Sequence, residues 1–186
     1  MALAGPGSKL GTGWAYLTSG SNVQQSSNQP PASGSSVVGS PSLTAQQIDT
    51  ILSNAGSPAA GTGQDLYNLG AQYNIDPAFA MAVFFNESNF GKAGTAASTR
   101  SLGNLRCIPD AACWNGYATF SSWQDGYNAF YKLIAGPIYV GSGLTTPETI
   151  LPKYAPSGDN NDPSHYTYVV NRCMSLWRSG STGVPA

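Results

Sequence analysis

The run Phe85-Asn86-Glu87-Ser88-Asn89-Phe90-Gly91 sets a carboxylate at the end of a strongly apolar stretch. The chain has one other glutamate, Glu148, which sits in a plain helix-start context. No Lys or Arg occurs in the four residues before Glu87, and Lys92 lies just after it. A carboxylate on a buried face must be paired, protonated or used. Glu87 follows Phe84, Val83 and Ala80 by three, four and seven residues, which puts it on their face of a helix. It also falls in the last turn, at the negative end of the helix dipole. Burial and dipole both disfavour the charged form, which is the tuning a general acid requires near neutral pH.

The elements that would carry this residue read as about six helices and one short β-hairpin, a mainly α fold. The first helix opens at Leu43-Thr44, with Thr44 and Gln47 as a capping box, Leu43 and Ile48 as a staple and Gly56 as the stop. The second carries Leu66, Leu69, Gly70 and Tyr73 on one face, and Gly70 there predicts close approach to another backbone. The third begins at Asp76-Pro77 and holds Glu87 before Gly91 ends it. No helical period appears between Gly91 and Phe120, where Asn104–Cys107 and Gly116–Phe120 can pair as the hairpin. The fourth starts at Ser121, with Gln124 completing a second capping box, and buries Trp123, Tyr127, Phe130 and Ile134. A short fifth runs from Thr146-Pro147 to about Pro152, and the last runs from Asp162-Pro163 through Tyr166, Val169, Val170, Cys173 and Trp177.

Three stretches then carry a family resemblance. Glu87-Ser88-Asn89-Phe90-Gly91, followed by Ser101-Leu102-Gly103-Asn104-Leu105, resembles the Glu-Ser-x-aromatic-Gly and Ser-x-x-Asn-Leu elements of the glucosaminidase family of peptidoglycan hydrolases. Tyr117-Ala118-Thr119-Phe120-Ser121-Ser122-Trp123 is similar to that family's hairpin-to-helix segment, and Lys153-Tyr154-Ala155-Pro156 with Asp159–Asp162 to its C-terminal tyrosine region. The ordered set covers roughly residues 43 to 178. It implies a lysozyme-like fold and cleavage of β-1,4 bonds in the bacterial cell-wall glycan. Carried over by position, the resemblance makes Glu87 the catalytic acid and Tyr154 the tyrosine of the sugar cleft. It makes Asn104 and Ser101 part of the polar loop lining that cleft, and Phe90 the aromatic beside the acid.

Glycosidases usually employ two carboxylates. In or near the hairpin the candidates are Asp110 and Asp125, and each has a structural reading. Pro109-Asp110 is a turn dipeptide, and Asp125 complements the first turn of a helix. If neither acts, the sugar's own 2-acetamido group can supply the nucleophile. A lytic transglycosylase, in which a substrate hydroxyl replaces water, also needs one Glu.

Composition bounds the rest. Of 186 residues only 9% are charged and the net charge is −1, which argues against nucleic-acid binding. No apolar run approaches the length of a membrane span. Residues 1–41 hold no Asp or Glu and one charge, Lys9, amid Ser, Gly, Gln and Pro, so they read as a disordered leader or linker dispensable for catalysis. Trp14-Ala15-Tyr16-Leu17 is its one apolar cluster. Residues 42–181 read as the catalytic domain and 182–186 as a flexible tail. Cys107 and Cys113, six apart in a stretch rich in Pro and Asp, fit a local disulfide and an oxidising compartment, while Cys173 falls on a helical apolar stripe as a free thiol. Cysteine spacing and a single His165 do not fit zinc. Asp159-Asn160-Asn161-Asp162 lacks the ligand spacing of a calcium loop, and His165 has no Cys nucleophile placed beside it.

The expectation is therefore a monomeric endo-β-N-acetylglucosaminidase without metal or cofactor, extracellular or phage-associated, acting on peptidoglycan glycan strands. A lytic transglycosylase or muramidase is the alternative enzyme, and a non-catalytic glycan-binding or virion module the alternative of another class.

Overall fold

The computed structural model describes residues 36–159 and 161–185. Seven α-helices, two short 3-10 helices and one two-stranded antiparallel hairpin make up the regular structure of these residues. The α-helices are α1 (Ala45–Asn54), α2 (Gly63–Tyr73), α3 (Pro77–Ser88), α4 (Ala96–Thr99), α5 (Trp123–Ala135), α6 (Pro147–Tyr154) and α7 (Pro163–Arg178), and the strands are β1 (Ala112–Trp114) and β2 (Tyr117–Thr119). The mainly α reading holds. The one helix it lacked, α4, is a single turn too short to show a period. No helix among the described residues is long and apolar enough to cross a membrane.

α3 is the centre of the domain. Every residue from Pro77 to Phe84 is buried, so the helix is covered all round rather than along one stripe. Asp76 caps it by accepting from the Ala78 amide at 3.0 Å, and Pro77 occupies the first helical position. α7 packs along α3, α5 packs on α2, and α6 on α7. Gly70 of α2 does make a close backbone approach: a Cβ there would lie 2.9 Å from the Ile75 carbonyl oxygen and 2.6 Å from the Pro77 ring. Gly126 of α5 has the same role against the Arg100 carbonyl, which any side chain would overlap.

Several helix ends differ from their sequence reading. Thr44 accepts from the Gln47 amide at 3.1 Å, but the Gln47 side chain does not reach back. It donates instead to the Trp177 carbonyl at 2.6 Å, a long-range bond that outcompetes the local one. α5 is capped by Ser122, one residue later than expected, through the Asp125 amide at 3.0 Å. Pro152 lies inside α6, which continues to Tyr154. α3 ends at Ser88 rather than at Gly91, because Asn89, Phe90 and Gly91 all take left-handed backbone, at φ 49°, 54° and 86°.

The hairpin is also re-paired. The expected Gly116–Phe120 does contain one strand, Tyr117–Thr119, but its ladder partner is Ala112–Trp114. Asn115 and Gly116, at φ 48° and 84°, form the two-residue turn between them. Asn104–Cys107 lies alongside, joined by a single bridge between Arg106 and Tyr117 and by the Ala118 amide donating to the Leu105 carbonyl at 2.8 Å. Cys107 and Cys113 are disulfide-bonded with Cα atoms 5.3 Å apart, and Cys173 is a buried free thiol.

Both edges of the domain reach further than composition suggests. Ser36–Pro41, grouped by composition with the leader, pack on the domain. Val37 is fully buried, bonds the Thr145 carbonyl and accepts from the Asp76 amide, and Val38 bridges Ile75. At the other end, the Gly183 carbonyl accepts from the Trp177 indole at 2.8 Å and the Thr182 carbonyl from Asn54 at 3.0 Å, so these residues of the expected tail are held. The Trp14–Leu17 cluster and Ala186 lie outside the described residues.

Candidate active site

Glu87 sits in the last turn of α3, and the turn's exit builds its surroundings. Ser88, 1% exposed, donates to the Leu102 carbonyl at 2.8 Å and accepts from the Gly91 amide at 2.9 Å. Ser101, equally buried, accepts from the Leu105 amide at 3.0 Å and closes the 101–105 loop on itself. Asn104, held at a left-handed φ of 46°, donates through Nδ2 to the Glu87 carbonyl at 3.0 Å. The two serines of the motif are thus structural fasteners that bring the loop against the glutamate.

A cleft of about 430 Å³ opens over Glu87, lined by Gly103, Asn104, Arg106, Tyr117, Tyr139 and Tyr154 among others. The Glu87 side chain is half-buried in its wall, and its Oε1 accepts from the Tyr166 hydroxyl at 2.8 Å. Burial pushes the Glu87 carboxyl above its ordinary range. The Tyr166 bond, the Arg106 guanidinium and the Asn104 amide each oppose that rise, and burial prevails. Tyr154 donates its hydroxyl to the Gly103 carbonyl at 3.0 Å and packs edge-on against Tyr166, their centroids 6.5 Å apart. Burial also raises the phenols of Tyr154 and Tyr166, so both remain protonated donors beside the carboxyl.

The structure separates the expected site residues. Glu87, Asn104 and Tyr154 come together in the cleft. Ser101 does not line it, because its hydroxyl is consumed inside the loop. Phe90 points into the core instead, fully buried against Phe85 and Trp177 at centroid distances of 5.7 and 6.0 Å. Asp110 and Asp125 line a neighbouring groove. Asp110 is exposed and lies 3.5 Å from Lys132 Nζ, and Asp125 is exposed and accepts from Ser121. Glu87 is the one acidic residue among the described residues lining the cleft. Among the described residues no cluster of His, Cys, Asp and Glu could hold a metal.

No family model matches the chain, and comparison with curated proteins gives no match.

Two site residues escaped the sequence reading. Tyr166 read as one more core position of the last helix, and only the packing of α7 on α3 turns its hydroxyl to Glu87. Arg106 carried no periodic signal, and the hairpin fixes it by stacking the guanidinium 4.9 Å over the Tyr117 ring. The turn signal that would have placed the hairpin correctly, Asn115-Gly116, was present in the sequence.

Asn104 Oδ1 is shut from solvent and has no hydrogen-bond partner among the described residues, although its amide nitrogen is used. A buried acceptor without a partner has an energetic cost. The site therefore offers one protonatable carboxyl, a guanidinium and a wall of tyrosines. Those groups suit a polar ligand to which a proton is transferred.

Proposed function

We propose that the chain is a glycosidase of the bacterial cell wall, an endo-β-N-acetylglucosaminidase in which Glu87 is the general acid. The observation that carries this reading is Glu87 itself, a carboxyl pushed upward by burial in the wall of an open, polar cleft. Its support is the ordered motif resemblance together with the meeting of Glu87, Asn104 and Tyr154, drawn from three separate stretches of chain, around one cleft.

In this mechanism Glu87 gives its proton to the glycosidic oxygen as the bond to the anomeric carbon breaks. The carbonyl oxygen of the 2-acetamido group attacks that carbon and forms a cyclic intermediate. Glu87, now a carboxylate, takes a proton from water as the water opens the ring. Tyr166 holds the carboxyl in one orientation. The absence of a second acid among the described cleft residues favours this route over a two-carboxylate one, since substrate supplies the nucleophile.

The same observation favours one second reading, a lytic transglycosylase. There Glu87 gives its proton to the departing glycosidic oxygen as its bond to the muramic anomeric carbon breaks, and the resulting carboxylate takes the proton of the muramic C6 hydroxyl as that oxygen bonds to the same carbon. Product analysis of purified wall by mass spectrometry tests both. New reducing N-acetylglucosamine ends are expected, anhydro-muramic ends would select the second reading, and intact wall would refute both in favour of a binding module.

A further inference from the structure

Beside the Glu87 cleft lies a second depression of about 550 Å³, and the two share Leu105, Ile108 and Leu133 as a common wall. Its character differs from that of the cleft. Ile108, Ala111, Phe120, Ala129, Leu133 and Ile138 give it apolar sides, and Ile138 is 48% exposed with nothing over it. A sugar ring, with hydroxyls on every edge, is poorly matched to such walls, whereas small aliphatic side chains are well matched.

Three charged side chains qualify the apolar surface. Asp110 and Asp125 contribute two carboxylates on the rim, and Lys132 contributes one ammonium. The Lys132–Asp110 pair is 67% and 80% exposed at 3.5 Å, so it is weak and exchangeable. The rim therefore carries an excess negative charge with one cation, a pattern complementary to a zwitterionic ligand with an extra amine.

We propose that this groove binds the peptide branch of the wall polymer, a short alanine-containing peptide with a free side-chain amine. Its methyl groups lie on the apolar walls, its amine meets Asp125 and Asp110, and its carboxylate meets Lys132. Identification of the peptide as a wall branch rests on the glycosidase reading. The shared wall of Leu105, Ile108 and Leu133 puts such a branch next to the glycan strand held over Glu87. Asp110 and Asp125 thereby acquire a role in recognition that does not require them at the reacting bond.

The test uses the full chain carrying Glu87→Gln and a synthetic stem peptide with a free side-chain amine, followed by NMR. Shifts are expected to cluster at Leu105, Thr119, Asp125 and Leu133, and to weaken on the order of tenfold when the amine is acetylated or Asp125→Asn is introduced. Ala129→Leu, which fills the groove from α5, should abolish them. No binding at millimolar peptide overturns the proposal, as do shifts confined to the Glu87 cleft. Equal binding of the acetylated peptide would show a merely apolar groove and overturn it too. In parallel, the chain with Glu87 intact is compared on glycan strands with and without stems. Stem-bearing strands should be preferred, and Ala129→Leu should reduce that preference several-fold. Peptide binding without cleavage of either strand would refute the glycosidase and leave the groove standing. Cleavage of both strands at equal rates without peptide binding would refute the groove and leave the glycosidase.

Discussion

The Tyr166 hydroxyl and Glu87 Oε1 are 2.8 Å apart although 79 positions separate them in the chain. The bond holds the carboxyl in one rotamer and favours its charged form against the burial that disfavours it. Tyr166→Phe removes that opposition while Arg106 and Asn104 continue theirs, so the Glu87 carboxyl should rise further. Activity that needs protonated Glu87 falls as pH passes upward through its pKa. The alkaline limb of kcat/KM should consequently move to higher pH in Tyr166→Phe. A lower melting temperature with an unmoved limb would reduce Tyr166 to a packing residue.

Glu87→Gln should lower wall cleavage by roughly 10² to 10⁴-fold, the usual range for general acid catalysis, with the fold kept. It should also alter the pH dependence of stability. Glu87 binds its proton more tightly folded than at the ordinary value of 4.5. The stability this contributes is present in full below the unfolded pKa and lost as pH rises through the folded one. Relative to the parent chain, Glu87→Gln should therefore gain stability from pH 4.5 upward and level off above the folded pKa. Urea melts across that range measure it, and a difference constant with pH would mean that the carboxyl is not perturbed.

Neither Asp110→Asn nor Asp125→Asn should slow cleavage of stem-free glycan by more than about tenfold, below the effect of removing a catalytic acid or base. Both lie outside the Glu87 cleft. A thiazoline mimic of the cyclic intermediate should inhibit. A dead Asp mutant with normal circular dichroism would make that residue the second catalytic group.

Thiol titration of denatured, unreduced protein should find one thiol, since Cys107 and Cys113 are bonded and Cys173 is free. In the native protein Cys173 should react slowly, because burial pushes its thiol up to about 12. Replacing both bonded cysteines by serine should cost about 2 kcal/mol in the chain-entropy model, read by chemical denaturation.

A chain beginning at Ser42 should be less stable than one beginning at Ser36. The deletion removes Val37 from the core, worth about 1.5–3 kcal/mol, and frees Arg178 of its contact with the Ser36 carbonyl at 3.2 Å. Asp76→Ala should be more severe, at about 3–5 kcal/mol, because it strands Arg178 opposite a site now lacking its 2.6 Å partner and uncaps α3. Equal melting temperatures of the two truncated chains would show that Val37 contributes nothing.

The sequence by itself determined what local physics controls. Asp76-Pro77 starts α3, Asp162-Pro163 starts α7, and the period through Trp123, Tyr127, Phe130 and Ile134 makes α5, because caps, prolines and apolar spacing act within a turn or two. The same locality made Glu87 conspicuous and paired Cys107 with Cys113. It did not separate Asn104, which lines the cleft, from Ser101, which only folds the loop, since both stand in one polar motif. Nor did it expose Tyr166, whose apolar spacing is that of any core residue, or the burial of Val37 in a segment of leader-like composition. The tertiary structure decided these, because each depends on which distant group meets a side chain: a carboxyl for Tyr166, a strand bridge beside Ile75 for Val37, and for Gln47 a carbonyl that outbids its local cap. A cleft is a relation between segments, and no single segment of the chain contains it.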